Sequence, residues 1–279
     1  SAGPGLDPVL WRGYNIVQAW AEKHDKKLVG VNHCCAHLSI GKMHNKLKDP
    51  VYLYVSGVNT QVIVQESPKK TSKSKKQSEG KYHVLGETLD IGLGNMLDKF
   101  GRILELGFPA GPKIEQVAEK GKYVELPYIV KGMDVSFSGL LTRAQQLWER
   151  KQASKEDLCY SLQETAFAMC AEVAERALAH SGKKELLLVG GVGANKRFCE
   201  MLEIMCKERR AKFYQVPMDL AGDQGAMIAW EGFLRKDSYG DMEALKMRES
   251  ARGASESRHF GAQKGPPFSV NCQWRADEV

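Results

Sequence analysis

The run Leu186-Leu187-Leu188-Val189-Gly190-Gly191-Val192-Gly193-Ala194-Asn195 constrains this chain more than any other. Four apolar residues closed off by glycine read as a buried strand, and Arg197-Phe198-Cys199-Glu200-Met201-Leu202 reads as the helix that follows. Glycine lets a backbone come close to an anion, and the N–H groups at a helix start face it with the positive end of the helix dipole. The order strand, glycine turn, helix is therefore a candidate phosphate cradle, although such turns also serve other roles in α/β proteins. A second acidic, glycine-bearing helix start, Asp223-Gln224-Gly225-Ala226-Met227-Ile228-Ala229, strengthens the nucleotide reading.

Composition narrows the class. A chain of 279 residues, 43% of them hydrophobic, has ample material for a core in one large domain or two. Its apolar runs are only a few residues long, which predicts no membrane span, and the first residues lack a signal-peptide layout. Seven cysteines without a Cys-x-x-Cys pair argue for reduced thiols in a cytosolic or nuclear setting. The net charge is +6, but five lysines fall between Lys69 and Lys76, so the rest is close to neutral and any charge argument for nucleic acid is local.

Asp7-Pro8 suits a helix cap and first turn, and Leu10, Tyr14, Val17 and Ala21 recur at helical spacing. Leu28-Val29-Gly30-Val31 reads as a short buried strand that delivers Asn32-His33-Cys34-Cys35-Ala36-His37. On a helix, His33 and His37 share a face with adjacent rings, which suits a divalent metal and equally suits mere neighbours. A zinc protease of the His-Glu-x-x-His type needs glutamate after the first histidine as general base; Cys34 stands there and excludes that class.

Val51 to Val55 and Gln61 to Val64 read as a hairpin around Ser56-Gly57-Val58-Asn59-Thr60, a turn whose N–H and hydroxyl groups suit a phosphate or an ordinary loop. Residues 67–81, rich in Lys, Ser and Gln, read as a disordered insertion whose lysines meet solvent or RNA phosphates. After the strand Tyr82 to Leu85, the carboxylates of Glu87, Asp90 and Asp98 gather near Gly86, Gly92 and Gly94. A helix is expected over 95–106, a second from Pro112 bearing Glu115, and a strand over Val135 to Ser138. Ser154 with Asp157 caps a long helix to about His180, and strand 186–189, helix 197–207 and strand 212–216 make a β-α-β unit. Residues 237–279 read as a loosely ordered tail.

Taken in order, Val31 to His37, Tyr54 to Thr60, Gly86 to Asp90 with Gly94 to Asp98, Lys131 to Gly139, and Gly190 to Asn195 resemble the successive signatures of the universal tRNA threonylcarbamoyladenosine transferase family, over roughly residues 3 to 235. The wording of Lys131 to Gly139 is similar to the archaeal and eukaryotic branch, the catalytic subunit of the KEOPS complex, formerly described as a sialoglycoprotein endopeptidase. The resemblance implies a two-lobed α/β fold like that of actin, sugar kinases and heat-shock ATPases (ribonuclease H-like). Residues 1–48 and 222–279 would form the first lobe and 49–221 the second. It implies transfer of threonylcarbamoyl from threonylcarbamoyl-adenylate to N6 of the adenosine beside the anticodon in tRNAs reading codons that start with A, releasing AMP.

By the same resemblance, His33, His37 and Asp223, with Tyr54, would hold one divalent metal, iron or zinc. Tyr54, Val55, Ser56, Gly57, Val58, Asn59 and Thr60 would hold the acyl-adenylate, and Asp98, Gly111, Glu115 and Asn195 the nucleoside of an ATP- or AMP-like nucleotide in the cleft. No further catalytic residue is implied. Partners would be tRNA and the KEOPS subunits, a small atypical protein kinase and a dimerisation subunit, with no membrane, in cytoplasm and nucleus. Val58 stands where the family has glycine; a β-branched residue forced to φ > 0 would be strained and would weaken donor binding. The strands that open the first lobe in the family are not found ahead of Asp7, so that lobe is expected to be incomplete and to expose apolar surface. A noncatalytic nucleotide-binding or scaffolding relative, or an inactive fragment, is the alternative.

Overall fold

The computed structural model describes residues 1–26, 28–66 and 80–235. Most of the expected insertion and all of the expected tail lie outside the described residues. Among the described residues, backbone contacts group Ile40–Asp223 into one compact unit and residues 1–39 with 224–235 into another.

In the smaller unit, helix α1 (Asp7–Lys23) carries Asp7 and Pro8 inside its first turn, and the cap position belongs to Leu6. Of the expected stripe Ala21 is buried, Leu10 and Tyr14 are half-buried and Val17 is exposed, while Val9, Ile16 and Trp20, outside the stripe, are exposed as well. No strand forms at 28–31. The backbone of that segment and of the two residues after it pairs with residues 2–3, through Ala2 N–H to the Val31 carbonyl (2.9 Å), His33 N–H to the Gly3 carbonyl (2.6 Å) and a single bridge between Gly3 and Asn32. Without a longer partner, an apolar Val-Gly-Val run stays an extended connector. It leads into helix α2 (His33–His44), on which His33 and His37 stand one turn apart.

The larger unit is built on a five-stranded mixed sheet in which Tyr82–Glu87, Thr60–Gln65, Val51–Val55, Glu185–Val189 and Lys212–Gln215 lie side by side in that order. Strands β1 (Val51–Val55), β2 (Thr60–Gln65) and β3 (Tyr82–Glu87) form the antiparallel half, with Val55 opposite Thr60. Strands β6 (Glu185–Val189) and β7 (Lys212–Gln215) run parallel to β1, joined by helix α7 (Lys196–Glu208), as the expected β-α-β unit requires. Every residue of β1 is buried, which marks a central strand covered on both faces. Val51, Leu53 and Val55 point into the main core, against helix α6 (Lys155–Ser181) and its Leu162, Phe167 and Met169. On the other face the second half of α2 comes so close at Gly41 that an added Cβ would stand 2.7 Å from Val216 Cγ2. Ser154 caps α6 as expected, its hydroxyl accepting the Asp157 N–H at 3.1 Å.

Three more helices complete that core: α3 (Leu93–Ile103), α4 (Gly111–Ala118) and α5 (Ser138–Glu149). The strand expected over 135–138 is shorter, a two-residue hairpin of β4 (Val130–Lys131) and β5 (Asp134–Val135), because Phe137 already begins the turn into α5. After β7, a short helix α8 (Met218–Ala221) ends the unit. Helix α9 (Gly225–Arg235) belongs to the smaller unit, where its Gly232 faces Val31. Among the described residues no helix is long and apolar enough to cross a membrane.

Candidate nucleotide site

Parallel strands β1 and β6 end at the same sheet edge, where open α/β sheets bind ligands. Tyr54 pairs with Val189 there, and the next residue, Gly190, has φ +96° with its Cα packed on β1: an added Cβ would stand 2.3 Å from the Val55 carbonyl. A 3-10 turn, Gly191–Ala194, follows, and Gly191 faces open space. The cradle differs from the expected one in a specific way. Two N–H groups of the first turn of α7 are taken by protein oxygens, Phe198 N–H by Asn195 Oδ1 (3.0 Å) and Lys196 N–H by Glu115 Oε1 (2.8 Å). The surface left for an anion is therefore the glycine stretch itself rather than those two amides.

Four of the residues assigned to the nucleoside are connected through this network. Asp98 on α3 accepts the Ala110 N–H at 2.8 Å, which fixes the loop just before Gly111 at the start of α4. Glu115, one turn further on, reaches Lys196 beside the buried Asn195. The sequence signal for these contacts was faint, since Glu115 and Lys196 lie 81 positions apart.

The loop assigned to the acyl-adenylate, residues 54–60, is sealed onto the start of α3. Ser56 N–H donates to the Asn59 carbonyl (2.8 Å), and the Ser56 hydroxyl accepts from Asn59 N–H (3.1 Å). The carbonyls of Ser56 and Gly57 accept the N–H groups of Gly94 (3.1 Å) and Asn95 (2.8 Å). Thr60 is gripped twice, its hydroxyl accepting Leu93 N–H (2.9 Å) and its carbonyl accepting Thr88 N–H (2.9 Å). Gly92 admits the closest approach, since a Cβ would stand 2.2 Å from the Val58 carbonyl. Val58 corrects an expectation: its φ is not positive and its side chain is 69% exposed, so the loop accepts valine without the anticipated strain. Tyr54 is buried, on the sheet face opposite Leu53 and Val55.

Asp90, read from the sequence only as part of a carboxylate cluster, is the hub that ties residues 88–92 to the entry of α5. It accepts from the Ser136 hydroxyl (2.6 Å), Phe137 N–H (2.9 Å), Ser138 N–H (3.1 Å) and the Ser138 hydroxyl, besides Ile91 N–H (2.7 Å). Partial burial pushes its carboxyl up, but the hydroxyls of Ser136 and Ser138 and the two amides outweigh that and hold it well below the usual carboxylate range. A carboxyl depressed in the folded state adds stability above the unfolded value near 4, and loses it as pH falls through the folded value. The stability gap between wild type and Asp90→Asn, from urea melts at stepped pH, should therefore be full at neutral pH and shrink below about pH 4. A gap independent of pH down to pH 2 would contradict the assignment.

Burial pushes the thiols of Cys159, Cys170 and Cys206 up to about 12 and that of Cys199 to about 11, so none of the four is a thiolate at neutral pH. His33 and His37 stand one turn apart on α2 with ring centroids 4.8 Å apart and planes at 82°, His37 being 3% exposed. Asp223 is exposed in the turn before α9, whose first turn is capped by the Gln224 side chain accepting Met227 N–H at 3.0 Å. An open cavity of about 730 Å³ lies elsewhere, between the end of α5 and the start of α6, lined by Trp148, Lys151 and Ser154 among others. It holds none of the residues assigned above.

A family model, TsaD, described as tRNA N6-adenosine threonylcarbamoyltransferase, matches residues 1–230. A protein of that name from Thermococcus kodakarensis is 55% identical over 233 residues, 83% of this chain and 68% of the relative. A probable bifunctional tRNA threonylcarbamoyladenosine biosynthesis protein from Methanoculleus marisnigri is 53% identical over 272 residues, 97% of this chain and 49% of the relative. Among solved structures, HypF from T. kodakarensis superposes with a TM-score of 0.61 at 17% identity, over 86% of this chain and 40% of that one. Full-length HypF in the phosphate- and nucleotide-bound form gives 0.58 at 12% identity, over 77% and 45%. At those identities the HypF structures speak for the α/β fold alone.

Proposed function

Because the chain belongs to the tRNA N6-adenosine threonylcarbamoyltransferase family, we propose that it makes N6-threonylcarbamoyladenosine in tRNA, drawing the group from threonylcarbamoyl-adenylate. The observation that carries this reading is the family match over residues 1–230, which contain every residue assigned to the site, together with 55% identity over 233 residues to a relative of that name. The N6 amine of the adenosine beside the anticodon attacks the carbamoyl carbon. A C–N bond forms, the C–O bond to phosphate breaks, AMP leaves with the electron pair, and N6 gives up one proton to solvent.

The donor is an activated mixed anhydride, so the protein's work is to orient it and to stabilise charge on the carbonyl and the departing phosphate. Residues 54–60 hold the acyl-adenylate, and their fixed backbone supports that role. Asp98, Gly111, Glu115 and Asn195 hold its nucleoside, and the glycine turn lies open toward the phosphate. His33, His37 and Asp223, with Tyr54, hold one divalent metal, iron or zinc. Two imidazoles and a carboxylate are an N/O donor set that suits either ion, and the two rings lie side by side, edge to face, with centroids 4.8 Å apart. When bound, the metal supplies Lewis-acid stabilisation of developing negative charge. The actin-like, two-lobed frame is part of the same reading, as are the partners, a KEOPS-type kinase and dimerisation subunit besides tRNA, and a cytoplasmic and nuclear setting.

The test is a tRNA-modification assay with threonylcarbamoyl-adenylate, using the chain alone and with partner subunits. Modified adenosine in either arm is the expected result. Its absence in both, with a folded chain that still binds AMP, would favour a noncatalytic relative.

A further inference from the structure

Phe108 is 82% exposed, the most exposed large hydrophobic side chain among the described residues. Its loop is built to hold it outward. Leu106 N–H donates to the Gly101 carbonyl (2.8 Å), the Lys113 ammonium donates to the Leu106 carbonyl (2.6 Å), and Ala110 N–H is held by Asp98. Gly107 makes the turn at φ +78°, and an added Cβ at Gly101 would meet Ala110 Cβ at 2.1 Å, so the loop base is packed without slack. The Lys113 ammonium lies beside the turn, since an added Cβ at Gly107 would stand 3.0 Å from its Nζ. An exposed aromatic ring beside a basic side chain is how single-stranded RNA is gripped: bases stack on the ring and phosphates pair with Lys and Arg.

We propose that Phe108 is a stacking platform for an unpaired base of the acceptor RNA. The inference rests on the tRNA reading above and adds the surface on which the anticodon loop lands. Phe108 stands three residues before Gly111, in the loop that Asp98 fixes, so a base on the ring lies beside the residues assigned to the donor nucleoside. N6 of the acceptor adenosine has to reach the carbamoyl carbon at the far end of that donor, so the base on the ring is a neighbour of the acceptor adenosine in the same loop. The donor has its own partly buried residues, Asn195 among them, whereas the ring of Phe108 is left to solvent.

The experiment measures binding of an anticodon stem-loop RNA to the full chain at one fixed salt concentration, for wild type, Phe108→Ala and Phe108→Trp, with AMP affinity and thermal unfolding measured in parallel. Loss of one base stack should weaken RNA binding by roughly 5- to 150-fold in Phe108→Ala. Phe108→Trp should restore it to within about threefold, and AMP affinity and unfolding should match wild type in both. Unchanged RNA binding in Phe108→Ala, while wild type binds RNA, overturns the platform and leaves the tRNA reading standing. A parallel loss of AMP affinity also overturns it, by assigning the ring to the donor. Wild type that fails to bind the RNA at all overturns the platform, and the tRNA reading then stands or falls by the modification assay with partner subunits.

Discussion

Gly190→Ala should cost about 2–5 kcal/mol of stability and weaken nucleotide binding, whereas Gly191→Ala, one residue on, should leave stability within about 0.5 kcal/mol. Two separate penalties fall on position 190. Its φ of +96° lies where a side chain is strained, and the added Cβ would stand 2.3 Å from the Val55 carbonyl and 3.4 Å from Ser56 N. The obstacle is backbone of the central strand, which cannot step aside as a flexible side chain does. Relief has to come from parting β6 and β1 at the edge where both assigned loops begin, so the 54–60 loop and the glycine turn move together. Gly191 has neither handicap, since nothing lies within 4 Å of its added Cβ. Urea melts of the two variants, with AMP titrations, check the contrast. Equal stabilities would show that Gly190 is not the residue that seats the turn on the sheet.

The same contrast shows what could be read in advance. Apolar runs ending in glycine place β6 and its turn, and Ser154 with Asp157 announces α6, because both signals are carried by neighbouring residues. The 28–31 segment misleads because Leu-Val-Gly-Val has strand chemistry, but no pairing strand of matching length is found among the described residues. Helix α1 is a partial case, its periodicity being genuine while of Leu10, Tyr14, Val17 and Ala21 only Ala21 is fully buried and Val17 faces solvent. Periodicity predicts which residues share a face, not what covers that face.

For the site, the residue set came from the resemblance of ordered motifs, and the structure adds the physical links. Asp90 reaches Ser136 and Ser138 across 46 and 48 positions of sequence, and such long-range bonds leave no periodic trace. The 54–60 loop could be read only as phosphate-suited or ordinary. Its fixity comes from α3, through Gly92 and Gly94, two glycines whose spacing alone says nothing about the backbone they lie against. Val58 shows the reverse error, a family difference that implies strain until the backbone is seen to be ordinary there.

Loss of one histidine ring from α2 is expected to strip the chain of its metal. The pair is held in place before any ion arrives: Asn32 Oδ1 accepts the Cys35 N–H at 3.1 Å, its carbonyl accepts the Ala36 N–H at 3.1 Å, and His33 N–H is anchored on the Gly3 carbonyl. Removing His37 takes away one of the two imidazoles of the proposed set and leaves His33, Asp223 and Tyr54, a single nitrogen ligand with two oxygens. Residues behind a ligand cost about 10- to 100-fold in metal affinity when changed, so loss of a ligand itself should cost at least about 100-fold. Metal content of His37→Ala by elemental analysis should then fall to near zero, and tRNA modification with it. Folding supplies an independent readout. An ion that binds only the folded chain raises its melting temperature, so a chelator should lower the melting temperature of the metal-loaded wild type and leave that of His37→Ala unmoved. Cys34→Ala, a change on the same helix turn at a residue outside the proposed ligand set, should behave as wild type in both measurements. Wild-type metal content in His37→Ala, or an equal chelator shift in the two proteins, would remove His37 from the metal site and with it the reason for placing an ion on α2.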